Sequence, residues 1–418
     1  MQGSSRRQAL AGLMGAVAVA ALSAGSAAAG EKITMWHIFG NATEPALANL
    51  AKWDKLNPDN PLDHKFIPFG QLSQQLIKGI ATGDVPDLIT IDNPVVASFA
   101  SQGALEDLTE MVKASKVIKK DGYFPGSWNT TIWNGKQFAV PGEANTLALY
   151  YNADMFRAKG LDPDRPPRTW AELKAASEKL TDPAKNVYGI GFSAIQSEEG
   201  TFQWLPFLQQ SGGNLRDLTS ADSVAALALW ADWVKSGQAS KDVLVKRQFE
   251  MTSAFLGGGS AMVVSGPWEL QRMDKDAKFE WRVAVLPVRE GKNIEASALG
   301  GYVWGVPKGA KNPKLAFKVI EFMSEPEQMK QAWSGGRLPP VASIAIDNPS
   351  NPKAYEVFKR QMEFAKARGP HPAWPQISAA VQTAIQSALT GQATPAAALE
   401  KAQAVVKPLL DKNPIDGL

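Results

Sequence analysis

Gly83-Asp84-Val85-Pro86-Asp87 runs directly into Leu88-Ile89-Thr90-Ile91, and this junction decides the fold. Upstream of it, Leu72, Leu76 and Ile80 recur at helical spacing and predict an amphipathic helix. Glycine and proline then mark a turn, and the short apolar run after the turn is typical of a buried strand. The order helix, turn, strand predicts packed α/β layers.

The same alternation continues on both sides of this junction. Thr169-Trp170-Ala171-Glu172 has the pattern of a capping box, which starts a helix, and Thr394-Pro395 starts the last helix of the chain. Further strands are predicted at 33–38, 64–67, 147–151, 187–192 and 261–264. The whole chain therefore has the pattern of an α/β protein.

The length of 418 residues predicts two or three domain-sized cores. No linker rich in glycine and serine separates two halves, so we expect two lobes that the chain crosses between more than once. Candidate crossings are rich in glycine or proline and lie near 141–146, 287–291 and 335–340.

The first 29 residues have the pattern of a cleaved export signal. Arg6 and Arg7 precede an alanine-rich apolar run, and Ser26-Ala27-Ala28-Ala29 offers a cleavage site near Ala29. The apolar run is too short for a comfortable membrane span, which needs about 20 residues. We therefore expect residues 1–29 to be a signal peptide and the mature protein to be periplasmic. The signal does not decide between general and twin-arginine export.

Charge and composition exclude several classes of partner. Removal of residues 1–29 takes away Arg6 and Arg7, so the formal charge falls from +3 to +1, which argues against nucleic acid as a partner. The chain has no cysteine and three histidines, which leaves little for a transition-metal site. We expect no metal, no cofactor and a stability that comes from packing.

Thirteen tryptophans are the strongest compositional signal of function. Some of them follow glycine or proline, as Trp268 does in Gly266-Pro267-Trp268 and Trp304 does after Gly300-Gly301. Flat aromatic rings held on loop ends suit stacking on the apolar faces of sugar rings. Most of the thirteen are expected in the core, and roughly three to five in a binding cleft.

Several collinear segments resemble a known family. The segment 83–88 with Gly103-Ala104-Leu105-Glu106-Asp107-Leu108 is similar to the N-lobe signature of the family 1 extracellular solute-binding proteins, the maltose-binding-protein-like receptors of ABC importers. Further matches follow in the family's order across nearly the whole mature chain, at 139–141, 149–156, 167–173, 259–262, 266–268, 300–307 and 316–322.

The resemblance implies a two-lobed periplasmic binding protein of type II, with the ligand cleft between the lobes and a hinge of several crossings. We predict residues 30–142 plus 291–337 as the N-terminal lobe and residues 143–290 plus 338–418 as the C-terminal lobe. The implied partners are a small carbohydrate and the permease subunits of an ABC transporter. We expect a monomer.

The resemblance and the predicted strand ends together give the candidate ligand-binding residues. Trp268, and Gly301, Tyr302 and Trp304, match segments that bring aromatic or backbone groups into the cleft, whereas Trp268 in a structural role would plug a helix start. Asp92 and Asn93 end a predicted strand, and strand ends in open α/β sheets face the ligand crevice. His37 and Asn41 match the family's first strand end and the turn after it, and Asn145 matches a polar position on the hinge side. The last candidates are Gln71 and Ser73, which follow Phe69-Gly70.

Structural alternatives stay open for several of these residues. A lone histidine such as His37 is as often a satisfied structural group, and Ser73 also suits a helix cap. Arg337, in Gly335-Gly336-Arg337, predicts either an anionic ligand group held by bidentate hydrogen bonds or an ordinary surface arginine. Tyr150-Tyr151 invites an iron site, but neighbours in a strand point to opposite faces.

The predicted function is reversible binding of a sugar or oligosaccharide and its delivery to a membrane permease. The first alternative is a receptor for an anionic sugar or polyol derivative, phosphorylated or sulfonated, including glycerol-linked sugars. The alternative from another class is an exported glycoside hydrolase, which needs two carboxylates about 5–10 Å apart. The sequence shows no such pair in context and no hydrolase motif, so we predict that the protein is not an enzyme.

Overall fold

The computed structural model describes residues 31–39, 45–347, 349 and 351–413. The predicted signal peptide and the candidate Asn41 lie outside the described residues. The strands are β1 Ile33–His37, β2 Leu62–Phe66, β3 Leu88–Asp92, β4 Ile132–Trp133, β5 Lys136–Gln137, β6 Ala139–Pro141, β7 Ala148–Asn152, β8 Met262–Ser265, β9 Trp281–Ala284, β10 Ser297–Leu299, β11 Tyr302–Gly305 and β12 Ala365–Ala367.

Helices fill most of the connections between these strands. They are α1 Pro45–Leu56, α2 Phe69–Thr82, α3 Val96–Ser101, α4 Thr109–Ala114, α5 Pro125–Asn129, α6 Ala153–Ala158, α7 Trp170–Leu180, α8 Glu198–Gln210, α9 Ala221–Lys235, α10 Gln248–Leu256, α11 Leu270–Asp276, α12 Pro313–Met323, α13 Pro326–Trp333, α14 Pro352–Met362, α15 Trp374–Leu389 and α16 Pro395–Lys412.

The turn between α2 and β3 forms as its sequence predicts. Gly83 ends α2 in the left-handed conformation, with φ of 73°, which glycine adopts without a steric penalty. Asp87 is buried, and its carboxylate accepts hydrogen bonds from the backbone N–H of Thr34 in β1 and of Asn312 before α12, each at 2.9 Å. Asp87 therefore fixes β3 against its neighbours at the amino end of the strand.

A five-stranded sheet contains β3 at its centre. The strand order is β2-β1-β3-β11-β6, with β1 parallel to β2 and β3, and β11 antiparallel to β3 and β6. Because β11 runs against β3, Tyr302 at the start of β11 pairs with Asp92 at the end of β3. These two residues therefore share the edge at which the parallel strands end.

A second sheet of three strands has the order β8-β7-β9 and is entirely antiparallel. Its central strand holds Tyr150 and Tyr151, both buried. The Tyr150 hydroxyl donates to the carbonyl oxygen of Gly266 at 2.8 Å, and the Tyr151 hydroxyl donates to that of Pro163 at 2.9 Å. Both hydroxyls are thus engaged in structural hydrogen bonds.

The chain passes from one sheet to the other between β6 and β7 and again between β9 and β11. The first passage runs beside two other segments at the junction: Ala144 forms an isolated bridge with Leu338, and Asn145 forms one with Gly300. The predicted crossings at 141–146 and 335–340 contribute to this region, whereas Val288 in the third forms a bridge with Thr169. The exact lobe boundaries given above stay a prediction.

Most of the tryptophans belong to the core, as expected. Trp204, Trp230, Trp233 and Trp374 are fully buried in the helical layer that contains α8, α9 and α15. The predicted strand at 187–192 is wrong, because this segment makes isolated bridges only, at Tyr188 and Gly191 among others. No helix within the described ranges is long and apolar enough to cross a membrane.

Candidate functional site

A cavity of about 490 Å³ lies between the two sheets, where the polar ends of β3 and β11 meet loops from the second sheet. Its volume is within the range of about 300–1,000 Å³ that is typical of small-molecule sites. The lining residues are Ile38, Phe66, Pro68, Phe69, Asp92, Glu143, Asn145, Glu198, Glu199, Phe202, Arg247, Gln248, Phe249, Glu250, Trp268, Glu269, Gly301, Tyr302, Arg337 and Arg368.

Asp92, Gly301 and Tyr302 reach this cavity from the five-stranded sheet. The backbone N–H of Asn93 donates to the carbonyl oxygen of Gly301 at 3.2 Å, which holds the ends of β3 and β11 together. Gly301 has φ of 129°, and a Cβ atom there would lie 2.1 Å from the carbonyl oxygen of Glu143. Glycine is therefore required where the backbone lines the cavity.

Trp268 forms an aromatic wall on the opposite side. The turn Gly266-Pro267 leads into a short 3₁₀ turn, and the half-buried indole lies 6.4 Å from the ring of Phe202, centroid to centroid. A Cβ atom on Gly266 would lie 2.0 Å from the indole. The Trp268 ring can therefore occupy this position only because residue 266 has no side chain.

Glu269 follows Trp268 and is almost wholly buried, at 1% exposed. Its Oε2 accepts a hydrogen bond from Nη1 of Arg272 at 3.3 Å, whereas its Oε1 has no hydrogen-bond partner among the described residues. Burial raises the pKa of Glu269 from 4.5 to about 7, and the nearby Arg272 and Arg337 oppose that rise. Oε1 is itself buried, so a ligand in the cavity would reach it only after a side-chain movement.

Asn145 supplies a second acceptor of this kind. Its Oδ1 has no hydrogen-bond partner among the described residues, and its amide nitrogen lies 3.4 Å from Oε1 of Glu143. A Cβ atom on Gly300 would lie 2.1 Å from this Oδ1, so a larger residue at position 300 would displace the Asn145 amide. Like Oε1 of Glu269, this oxygen is buried behind the surface of the cavity.

Arg368 joins the two sides of the cavity and was not predicted from the sequence. It is 4% exposed and donates to Oδ1 of Asp92 at 3.2 Å and to Oε1 of Glu198 at 2.6 Å. Its guanidinium also lies 4.5 Å from the ring centroid of Phe202. Since Asp92 ends β3 and Glu198 begins α8, Arg368 ties the five-stranded sheet to the helical layer.

The cluster around Arg368 changes the protonation of Asp92. Burial raises the pKa of Asp92 from 3.8 to about 6, and Arg368 opposes the rise while Glu198 adds to it. Glu198 is itself held by Trp374 Nε1 at 3.1 Å and by the hydroxyl of Ser378 at 2.6 Å. Asp92 therefore depends on Arg368 to remain ionised at neutral pH.

Arg337 lines the cavity, as the hypothesis of an anionic ligand requires. Its Nη1 lies 3.3 Å from Oε1 and 3.4 Å from Oε2 of Glu143, a carboxylate that is almost wholly buried. Arg337 thus already has a carboxylate partner. Its side chain is partly buried in the cavity wall, unlike that of an ordinary surface arginine.

The carboxylates on the lining outnumber the guanidiniums. In the described part of the chain the cavity is lined by six acidic side chains and three arginines. Each arginine is matched by a carboxylate, since Arg247 Nε lies 3.0 Å from Oε1 of Glu199 and the other two are paired as above. This balance favours a ligand without negative charge.

Several predicted residues lie elsewhere. Trp304 is buried behind Tyr302, with ring centroids 5.2 Å apart, and it does not line the cavity. His37 is buried, accepts a hydrogen bond from the backbone of Phe39 at 3.1 Å and lies 3.0 Å from the ring nitrogen of His64. Burial and His64 lower its pKa to about 4, so His37 has the structural role given above as the alternative.

The other predicted residues surround the cavity without lining it. Asn93 is buried and accepts a hydrogen bond from Nη2 of Arg368 at 3.2 Å, which makes it a support for the site. Ser73 lines a smaller cavity of about 130 Å³ beside the first, between α2 and Arg247, and it is not a helix cap. Gln71 is exposed and lines neither cavity.

The residues that the sequence missed carry no motif. Glu198 and Glu199 have the pattern of acidic residues in a first helical turn, and Arg247, Phe202 and Arg368 stand in ordinary contexts. These residues are charged or aromatic, but nothing in the neighbouring sequence indicates that their side chains point into the cavity. Within the described residues no three histidine or acidic side chains group closely enough to hold a metal ion.

Comparisons with known proteins place this geometry among solute-binding proteins. A family model described as bacterial extracellular solute-binding protein matches residues 53–359. The sn-glycerol-3-phosphate-binding periplasmic protein UgpB of Escherichia coli strain K12 is 25% identical over 409 residues, covering 90% of this chain and 92% of the relative.

Solved structures are similar over most of the chain. An ABC transporter solute-binding protein from Thermotoga lettingae bound with alpha-D-tagatose has a TM-score of 0.84 and 25% identity, covering 91% of this chain and 100% of that one. Maltose-bound MalE3 of T. maritima has a TM-score of 0.80 and 25% identity with the same coverage. These likenesses confirm the predicted fold class.

Proposed function

We propose that this chain, which belongs to the bacterial extracellular solute-binding proteins, binds a carbohydrate without net negative charge in the cavity beside Trp268. Members of this family bind solutes and are not enzymes. The chain serves an ABC importer, to whose permease it delivers the ligand chemically unchanged. We further propose that it acts as a monomer in the periplasm after cleavage near Ala29.

The observation that carries this proposal is the pairing of aromatic faces with carboxylate and amide groups on one lining. Trp268 and Phe202 offer aromatic faces, while Asp92, Glu198 and Asn145 place carboxylate and amide groups on the same lining. A sugar ring has apolar C–H faces and a rim of hydroxyl donors. Its hydroxyls would donate hydrogen bonds to carboxylate and amide oxygens on such a lining.

Delivery requires that the permease can distinguish the loaded receptor from the empty one. Arg368 already connects the two sides of the cavity, and a ligand between Trp268 and Tyr302 adds further contacts that exist only when the cleft is shut. Ligand binding thus shifts the population toward the closed form. The predicted lobes, 30–142 plus 291–337 and 143–290 plus 338–418, are the bodies that move.

A receptor for an anionic sugar or polyol is the second candidate. The name of the relative UgpB favours it, since that protein binds sn-glycerol-3-phosphate, and Arg337 and Arg368 both line the cavity. Against it, an anion would have to displace Glu143 from Arg337, displace Asp92 and Glu198 from Arg368, or share Arg247 with Glu199, and each of these carboxylates is buried or partly buried. Leaving such a charge unpaired is strongly unfavourable.

A thermal-shift screen of the purified mature protein separates these candidates. A ligand that binds the folded state raises the melting temperature by mass action, increasingly with its concentration. Neutral mono- and oligosaccharides, polyols, sugar phosphates, sulfonated sugars and glycerol 3-phosphate are compared at equal ionic strength. The proposal expects a concentration-dependent rise with a neutral carbohydrate. A rise with the phosphorylated compounds alone would establish the anionic candidate in its place.

A further inference from the structure

The ion pairs on the cavity lining differ in which partner faces the cavity. At Arg368 the cation is the hidden partner: its side chain is 4% exposed, against 13% for Asp92 and 20% for Glu198. A ligand in the cavity therefore meets two carboxylates there, with the guanidinium behind them. Carboxylates in this position accept hydrogen bonds from the hydroxyl groups of a neutral ligand.

The order is reversed at the other two ion pairs. The side chain of Arg337 is 24% exposed beside Glu143 at 2%, and that of Arg247 is 38% exposed beside Glu199 at 10%. A ligand therefore meets two guanidiniums, each with a carboxylate behind it. A guanidinium without a carboxylate partner binds phosphate and sulfonate groups by bidentate hydrogen bonds, and a carboxylate in contact with it offsets its charge.

The backbone at the junction of the two sheets holds Glu143 against Arg337. The N–H of Ala144 donates to the carbonyl oxygen of Leu338 at 3.1 Å, and the N–H of Glu143 donates to that of Tyr302 at 3.2 Å. Glu143 and Arg337 each precede a residue of the bridge between Ala144 and Leu338, so their side chains start from adjacent, hydrogen-bonded segments. The position of this carboxylate is thus set by backbone hydrogen bonds.

Glu199 holds Arg247 from the first turn of α8. Its Oε1 accepts a hydrogen bond from Nε of Arg247 at 3.0 Å, and its Oε2 accepts one from the backbone N–H of Gln248 at 2.8 Å. One carboxylate therefore fixes both the guanidinium and the start of α10.

We propose that Glu143 and Glu199 determine the charge selectivity of this receptor. Each neutralises a guanidinium that faces the cavity, so that the guanidinium donates hydrogen bonds to a neutral sugar without attracting its phosphorylated or sulfonated analogues. This rests on the proposed function and adds to it the residues that exclude anions. Glu269 also lies near Arg337, but it cannot take over from Glu143, because burial raises the pKa of Glu269 to about 7 and leaves it about half protonated at neutral pH.

Glu143→Gln and Glu199→Gln test the proposal, because each keeps the shape of the side chain and removes its charge. Calorimetric titrations at neutral pH and constant ionic strength compare glucose with glucose 6-phosphate, tagatose with tagatose 6-phosphate, and glycerol with glycerol 3-phosphate, and they include inorganic phosphate alone. The wild type is expected to bind the phosphorylated member of a pair at least about tenfold more weakly than the neutral member.

In each variant this ratio is expected to fall by about tenfold or more, because the guanidinium then forms a charge-assisted hydrogen bond with the phosphate. Affinity for inorganic phosphate is expected to rise for the same reason. Circular dichroism and the melting temperature establish that each variant is folded. If Glu143→Gln does not fold, Glu199→Gln decides alone.

Glu250→Gln is the matched control. Glu250 lines the same cavity, and its Oε2 accepts the backbone N–H of Arg247 at 2.8 Å, a capping role that glutamine also fills. The substitution removes one charge from the same lining but leaves both guanidiniums with their carboxylates, so the ratio is expected to change less than about twofold. A change as large as in the other two variants would show that net charge sets the selectivity and would refute the proposal.

The remaining outcomes separate this proposal from the proposed function. Unchanged ratios in the folded variants, with neutral binding retained, refute the roles of Glu143 and Glu199 and leave the proposed function intact. A wild type that prefers the phosphorylated probes overturns both the charge selectivity and the neutral ligand. Binding of no carbohydrate by the wild type also removes both proposals.

Discussion

Glu269→Gln tests whether the cavity wall holds a carboxylate whose ionised form destabilises the folded protein. The substitution keeps the shape of the side chain and removes its ionisation. Arg272 retains other partners, because its guanidinium also contacts the Ser253 hydroxyl at 2.6 Å and Asp276 at 3.9 Å. The change therefore acts mainly through the protonation of residue 269.

The magnitude follows from the two pKa values. The pKa of Glu269 is 4.5 in the unfolded chain and about 7 in the folded protein. An acid with a raised folded pKa contributes stability at low pH that is lost as the pH rises through the folded value. Between about pH 5.5 and about pH 8, this single group lowers the free energy of unfolding by about 2 kcal/mol.

The assay is urea unfolding of ligand-free wild type and Glu269→Gln at these two pH values. Asp92, with a pKa near 6, and His37, with a pKa near 4, also titrate in or near this range. Their contributions are present in both proteins and cancel in the difference of the two pH dependences. We expect the variant to lose about 2 kcal/mol less than the wild type on going to high pH. Identical pH dependences would show that Glu269 is not buried as described.

Three further substitutions test the site and its supports. Trp268→Ala is expected to weaken carbohydrate binding by about 2 kcal/mol, roughly 30-fold, with little change in melting temperature; unchanged affinity in calorimetry would remove Trp268 from the site. Gly266→Ala is expected to weaken binding because the added methyl group displaces the same indole. The double variant Gly266→Ala, Trp268→Ala should therefore bind no more weakly than Trp268→Ala alone, and additive losses in affinity would contradict this link. Arg368→Met leaves Asp92 and Glu198 without their buried cation and is expected to lower the free energy of unfolding by about 3–5 kcal/mol. The loss is expected to be smaller at low pH, where Asp92 takes up a proton. A loss under about 1 kcal/mol in urea unfolding would refute the role of Arg368 in joining the two sides of the cavity.

The sequence predicts the parts of the site that depend on local geometry. Asp92 reaches the cavity because it is the last residue of β3, and Tyr302 does so because it is the first residue of the antiparallel β11. Trp268 does so because Gly266-Pro267 sets a turn whose glycine leaves space for the indole. In each case a strand end or a turn fixes the direction of the side chain, and the pattern of residues reveals that end.

Trp304 shows where the same reasoning fails. It lies two residues beyond Tyr302 on the same strand and hence on the same face, but deeper in the sheet. There, Gly142 and Phe39 cover it: a Cβ atom on Gly142 would lie 2.7 Å from the Trp304 Nε1, and the Phe39 ring centroid lies 6.0 Å away. The sequence indicates the face of a residue but not what covers that face.

Arg368 could not be predicted for a different reason. Its partners Asp92 and Glu198 are 276 and 170 positions away in the chain, and no local spacing connects them. The position of the arginine depends on how β12 and α8 pack, which is decided by the whole tertiary structure. The sequence therefore shows which charged residues the chain contains, but it does not show that these residues meet at the cavity.

The most direct test is a calorimetric titration of the mature protein with the neutral carbohydrate that gives the largest thermal shift, followed by analysis of the recovered solute. The account predicts saturable binding of one ligand per chain, binding about 30-fold weaker in Trp268→Ala, and a solute that returns chemically unchanged. Saturable binding that Trp268→Ala leaves intact, or a solute that returns cleaved, would contradict it.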